Sequence, residues 1–198
     1  MALGDEFKSS GITENTPKTI MLGAGTIHRG LKFADSKWNF EESLICATSG
    51  GAKMSITPEF YDVPVDGALV KVKGLTVKTG ETATFEVNPI ELKPEIMKWA
   101  LIADETTSTT ATGYNEITSR ARINEGDYLE NMGYVGKTIE GTPIIILFDF
   151  ALCTSGLELE GKNKEAAVPK FTFECFADLT SEADTLPYHI YYPTPATA

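Results

Sequence analysis

The chain is poor in the residues that carry most covalent and metal chemistry, with three cysteines and two histidines among 198 residues. Cys46, Cys153 and Cys175 are odd in number, widely spaced and without a Cys-x-x-Cys pair, so neither a disulfide framework nor a zinc site follows. His28 and His189 stand far apart in sequence, and no Gly-x-Ser-x-Gly elbow accompanies them. Long apolar runs are missing too. Ile144–Phe148 is as long as any, far short of the roughly 20 residues that cross a bilayer as a helix, so no membrane partner is expected. The opening Met-Ala-Leu-Gly-Asp-Glu-Phe has an acidic pair where a secretory leader carries basic residues, which reads as synthesis in a reducing cytoplasm.

Positive charge is also scarce. The formal net charge is −11, divided +1, −3 and −9 over residues 1–40, 41–100 and 101–198. A protein whose task is to grip nucleic acid needs a basic footprint, and none is present. With 42% hydrophobic residues the composition is that of a folded chain, and at roughly 150 residues per domain its length suits one core.

The patterning is β. Met54, Ile56 and Phe60 alternate with Lys53, Ser55, Thr57 and Glu59, and Pro58 on that strand favours a sheet edge. After a turn at Asp66-Gly67, Val70 and Val72 alternate with lysines. The parity then slips at Gly74, as at a β-bulge, before a turn at Lys78–Glu81 and a strand with Ala83, Phe85 and Val87 on one face. Pro94 and Glu95 open a helix over 94–103, and the Thr-rich stretch from Asp104 to Gly113 reads as a loop. Ile117 and Ile123 mark a further strand. Ile144–Phe148, apolar on both parities, fits a central strand covered on both faces. Strands around Leu157–Glu160, Lys170–Phe176 and Tyr188–Tyr192 complete a mainly β antiparallel sandwich or flattened barrel of about eight strands with one flanking helix.

The division expected is an N-terminal strand and extended arm over 1–52, a sandwich over 53–192 and a tail over 193–198. From Ala24 to Gly51 no period holds, and the isolated aromatics Phe33, Trp38 and Phe40 suggest an arm that packs on another subunit. These three are the candidate assembly residues. Candidate catalytic, cofactor and metal residues are none. Gly23–His28 begins like a dinucleotide fingerprint but has His where the third glycine belongs, and Asp62–Gly67 lacks the oxygen ligands of a calcium loop. Glu158 and Glu160, followed at the same parity by Lys162 and Lys164, read as a solvated strand edge that resists unwanted pairing.

Several segments, in order, resemble the major tail (tail tube) proteins of long-tailed bacteriophages. They are Ala47–Gly51 leading into Lys53–Phe60, Val65–Ala68, Gly80–Val87, the helix Pro94–Ala103, the strand after Gly141-Thr142-Pro143 and the aromatic strand Lys170–Phe176. The resemblance spans Ala47 to Tyr192. It implies a virion protein, made in the host cytoplasm, that joins with itself into rings, usually hexameric, stacked as a tube. DNA passes through the lumen without specific binding, and the neighbours are other tail proteins such as the tape measure and the tail-tip or terminator proteins. No cofactor and no enzymatic activity are implied. The alternative is a carbohydrate- or receptor-binding module of a phage particle, for which Tyr188, Tyr191 and Tyr192 are the local aromatic candidates.

Overall fold

The computed structural model describes residues 10–180 and 184–193, so the tail expected over 193–198 lies, apart from Pro193, outside the described residues. One antiparallel sheet dominates. It runs from β1 (Met21–His28) through β8 (Leu129–Thr138), β9 (Pro143–Cys153), β10 (Phe171–Cys175) and β5 (Thr76–Pro89) to β4 (Thr48–Asp62), with β11 (Tyr188–Tyr191) also paired to β9. Two small hairpins stand beside it, β2 (Phe33–Ala34) with β3 (Lys37–Trp38), and β6 (Ala103–Thr107) with β7 (Asn115–Ser119). The helices are short: α1 (Thr16–Thr19), α2 (Phe40–Ser43) and α3 (Pro94–Leu101). No helix among the described residues is long and apolar enough to cross a membrane.

The sheet curls until its two outermost strands meet. A Cβ placed on Gly51 of β4 would lie 3.9 Å from that of Ala24 in β1, although no ladder joins the two strands. This is the expected flattened barrel, made from one sheet folded over its own apolar face. Inside lie Phe85 and Phe148, whose rings stack with centroids 3.9 Å apart, together with Ala83, Val87, Leu129, Met132, Phe171 and Phe173. Helix α3 begins with Pro94 in its first turn and Glu95 near its positive end, presents Ile96 and Ala100 to this core, and stops where Ile102 turns left-handed at φ 50°.

β9 explains the second core. Ile146 and Phe148 face the interior, so Ile145 and Leu147 must face outward, and both are buried. They are covered by residues 31–40, which fold back as a flap in which Leu31 is wholly buried and Trp38 and Phe40 pack against Ile145 and Leu147. Leu31 reaches its seat because Gly133 of β8 has no side chain. A Cβ there would come within 2.6 Å of Leu31 Cδ2.

The structure departs from the sequence reading in several places. The N-terminal strand expected within 1–52 runs over residues 21–28, further into the aperiodic stretch than its pattern suggests, and Leu31 of that stretch is core, because β9 needs an outer cover. The loop expected from Asp104 to Gly113 is half strand, since five β6–β7 pairs form from Ala103↔Ser119 to Thr107↔Asn115. The turn at Lys78–Glu81 does not exist: β5 passes straight through, and the irregularity is a bulge opposite Glu59 and Phe60. Residues 63–75 are loop rather than strand, with Gly74 at φ 93°. Leu157–Glu160 is not a strand, and β8 was not foreseen.

Two substitutions weigh the flap. Leu31→Ala is expected to cost about 2–5 kcal/mol by leaving a cavity between the flap and β9. Gly133→Ala is expected to cost about 1–3 kcal/mol by overpacking the same contact, and denaturant unfolding of both variants measures the losses.

Candidate functional site

The three aromatics singled out from sequence do come together. The β2–β3 turn passes through Asp35 and Ser36, both at positive φ. Asn39 then pins the hairpin, its side-chain amide donating to the Gly30 carbonyl at 3.0 Å and its Oδ1 accepting the Lys32 N–H at 2.7 Å. Trp38 sits in the middle, 5.3 Å from Phe33, 6.4 Å from Phe40 and 5.0 Å from Tyr191 of β11, centroid to centroid. Trp38 and Phe40 are half-buried against the flap's own core, while Phe33 projects into solvent. Tyr191 and Tyr192 are exposed beside them, and Tyr188 is half-buried with its hydroxyl donating to Glu81 Oε1 at 3.4 Å.

A more extended surface was missed. β4 and β5 stay paired from Ala52↔Val87 to Asp62↔Thr76, but the core ends near Ala83. Beyond Thr57↔Thr82 the two strands leave the body as a ribbon whose apolar side chains find no cover. Leu69 is 98% exposed, Val70 78%, Phe60 63% and Tyr61 52%, and Val63, Val65, Val72 and Val77 are exposed as well. Taking apolar side chains at 150–250 Å² each for the aromatics and somewhat less for the aliphatics, the ribbon exposes roughly 600–800 Å² on these residues. Summed over both sides of the ribbon, that is comparable to one partner's share of a stable interface.

The tip has its own order. The Val63 N–H donates to the Leu75 carbonyl at 2.8 Å, closing residues 63–75 at their base, and the Leu75 and Ala68 N–H groups donate to Val72 and Val65. Asp62 sits at the neck, taking the Lys71 ammonium and the Thr76 hydroxyl, each at 2.5 Å. Those two contacts, Lys71 first, hold its carboxyl below the usual range. The sequence signal was available: Val70 to Lys73 alternates, but with Gly67 before it and Gly74 after it the stretch reads equally as a strand or as a glycine-bounded loop.

β4 is also an edge. Its ladder partner is β5, and among the described residues no backbone hydrogen bond reaches its outer side from Ala52 to Asp62. Pro58 lies on this edge, as its missing N–H requires. β1, the other outer strand, is partly capped: Arg29 N–H donates to Ser43 and Ile45 N–H to Ile27, at 2.8 and 3.0 Å.

His28 and the three thiols are built into the scaffold, while His189 of β11 is exposed, 3.4 Å from Asp149 Oδ1. Ser43 donates its hydroxyl hydrogen to the Asn39 carbonyl at 2.7 Å, so at 2.9 Å from Ser43 Oγ the His28 Nδ1 is the donor. Nε2 then accepts from Thr26 Oγ1 at 2.8 Å. This is the reverse of the polarity a serine nucleophile needs, in which the imidazole takes the hydroxyl proton. His28 is buried, and burial lowers its pKa against the opposing effect of a backbone contact at Phe40. All three thiols are buried and raised by that burial, and Cys175, raised further by the negative charges of Asp149, Glu174 and Glu81, is pushed up to about 12. No Gly-Lys-Ser/Thr loop was expected from the sequence; Gly136-Lys137-Thr138 does carry those three residues, but it lies inside β8, with Asn131 where the first glycine of a phosphate-binding loop belongs. Among the described residues no group of three His, Cys, Asp or Glu side chains is placed to hold a metal ion.

No protein-family model matches the chain, and no curated protein matches it. Among solved structures, it is similar to a chain of the "Virion of native gene transfer agent (GTA) particle", at 12% identity and a TM-score of 0.42 over 84% of this chain and 95% of that one.

Two solution measurements check this chemistry. As pH falls below about 6.5 the unfolded chain binds a proton at position 28 before the folded one does, so stability declines from there toward the lower folded pKa. His28→Gln is expected to flatten the dependence of unfolding free energy on pH between 7 and 5 by up to about 1.4 kcal/mol per unit. An aromatic disulfide reagent is expected to leave the folded protein unlabelled and to titrate three thiols in denaturant; rapid labelling of the native chain would contradict the buried placement.

Proposed function

We propose that the chain is a structural virion protein that joins with itself into rings stacked as a phage tail tube, a conduit for the genome, and that it acts by assembly and not by catalysis. The observation that carries this reading is the β4–β5 ribbon. A soluble chain that holds this much apolar surface away from its own core, on an ordered and hydrogen-bonded loop, has prepared it for a partner. The unpaired side of β4 supplies a second means of joining. An exposed strand edge is a template for another chain, and pairing edges between copies around a ring removes them. The resemblance of Ala47–Tyr192 to tail tube proteins points the same way, to rings that are usually hexameric and to tape-measure, tail-tip and terminator proteins as neighbours.

The charge suits such a conduit. At −11, a tube wall repels phosphates and lets DNA slide, and the absence of a basic stripe becomes a requirement of the task. Phe33, Trp38 and Phe40 keep a place in the proposal. Phe33 is the member with surface to offer a neighbour, while Trp38 and Phe40 hold it in position.

A second reading, a carbohydrate- or receptor-binding module of a phage particle, is favoured by the Phe33–Trp38–Tyr191 cluster, with Tyr191 and Tyr192 exposed at its rim. Its mark is glycan-array binding that Tyr191→Ala abolishes.

The tube reading is tested by electron microscopy and sedimentation. The intact protein is expected to form rings or tubes as concentration rises. Replacing residues 60–78 by Asn-Gly is expected to leave a folded monomer, with Tm changed by less than about 5 °C, that no longer stacks. An intact chain that stays monomeric at every concentration and salt, or a shortened chain that assembles normally, overturns the assignment.

A further inference from the structure

His28 is shut inside the fold at 2% exposure, and its bonds tie it to a seam. Residues 43–45 lie along the outer side of β1, where Arg29 N–H donates to the Ser43 carbonyl, Ile45 N–H donates to the Ile27 carbonyl, and His28 forms a bridge with Leu44. The ring crosses this seam. Its Nδ1 donates to Ser43 Oγ at 2.9 Å on one side, and its Nε2 accepts from Thr26 Oγ1 at 2.8 Å on the other. Phe40 closes over it edge-on, with ring centroids 5.9 Å apart.

This set of bonds suits the neutral ring. A proton added at Nε2 turns that atom into a donor, so Thr26 must swing its own hydrogen away, and the acceptor within its reach is the Val135 carbonyl at 3.5 Å. Among the described residues no counter-charge awaits the imidazolium. Arg29 of β1 lies over Trp99, and Tyr134 of β8 turns its hydroxyl to the Ala24 carbonyl. Glu41 and Glu42 of the α2 segment, Lys32 of the flap, and Glu130 and Lys137 of β8 are all exposed. A buried charge without a partner is costly, and admitting water is the relief at hand.

We infer that residues 43–45 are a proton-operated cover on the edge of β1, closed over the neutral His28 ring and lifted when the ring takes up a proton, which bares the backbone groups of Ile27 and Arg29. The property belongs to the single chain and holds whether or not copies assemble. A proton that binds the open form in preference to the closed one raises the open population by up to about tenfold per pH unit below about 6.5.

The native thiols report on the cover. Cys46 is buried directly beside it, while Cys153 of β9 and Cys175 of β10 are buried elsewhere in the same core. The chain is treated with a dithiodipyridine, which labels thiols in acid as well as at neutral pH. The rate at each cysteine is followed by peptide mass spectrometry and divided by its rate in denaturant at the same pH. The Cys46 ratio is expected to rise at least tenfold from about pH 7 to about pH 5, while those of Cys153 and Cys175 change less than threefold. In His28→Gln the Cys46 ratio is expected to change less than threefold over the same range. A Cys46 ratio that stays level in the unaltered chain overturns the inference, and so does a rise shared by all three thiols, which is global unfolding. An acid response retained in His28→Gln places the proton elsewhere and overturns it as well. If that variant does not fold, the His28 ring resonances of the unaltered chain decide by NMR: they are expected to titrate over the pH range in which Cys46 opens, and a ring that stays neutral while Cys46 reacts overturns the assignment.

Discussion

Ile144 to Phe148 is apolar on both parities, and a strand of that kind has no side it can show to water. Much of the fold follows from keeping β9 dry. One face is closed by curling the sheet, which brings Phe85 onto Phe148 and carries β1 round to β4. The other face cannot be closed by the same sheet, so it is closed by the chain that precedes it, residues 31–40, with Leu31 at the centre and Trp38 tied to Tyr191 on the far side. Gly133 is the concession β8 makes to that arrangement.

This division of labour explains why the ribbon is free. The interior is filled by the halves of β4 and β5 nearest their anchored ends, at Met54, Ile56, Ala83, Phe85 and Val87, and once β9 is covered there is no further apolar face for Phe60 or Leu69 to join. The ribbon's shape is kept by local means instead. It has backbone hydrogen bonds at its base and a carboxylate, Asp62, that gathers Lys71 and Thr76. An exposed ion pair of this kind adds little to stability, so its use is in fixing geometry.

What could be read from the sequence follows the strength of the local signal. The helix was legible because Pro94, Glu95, Ile96 and Ala100 agree on start and face, and β9 because both parities are apolar. Pro58 correctly marked an edge. β8 was not legible: Gly133 and Gly136 break its alternation, and both are glycine because Leu31, Met21 and Tyr134 crowd the places their side chains would take. The Leu31 and Met21 contacts come from distant parts of the chain and are invisible to any window. The flap failed for a related reason. Residues 31–40 have no period since they lie as a plug against β9, and an aperiodic stretch with aromatics looks the same whether its partner is its own chain or another. The ribbon was the converse case, where alternating valines suggested a strand in a sheet and the missing fact was how far the core reaches.

The flap seals a core strand while the ribbon stands free of the core, and this arrangement has a physical logic. A segment that must be released to bind a neighbour cannot also seal a core strand, because moving it would expose Ile145 and Leu147 and cost the body much of its stability. A ribbon that carries its own hydrogen bonds can engage or disengage without disturbing the barrel, since its apolar tip takes no part in the interior. On the proposed reading, an adhesive surface placed there separates the stability of the subunit from the strength of its contacts. Substitutions at the tip would then tune assembly alone, whereas substitutions at the buried residues of the flap, Leu31 above all, change the fold first.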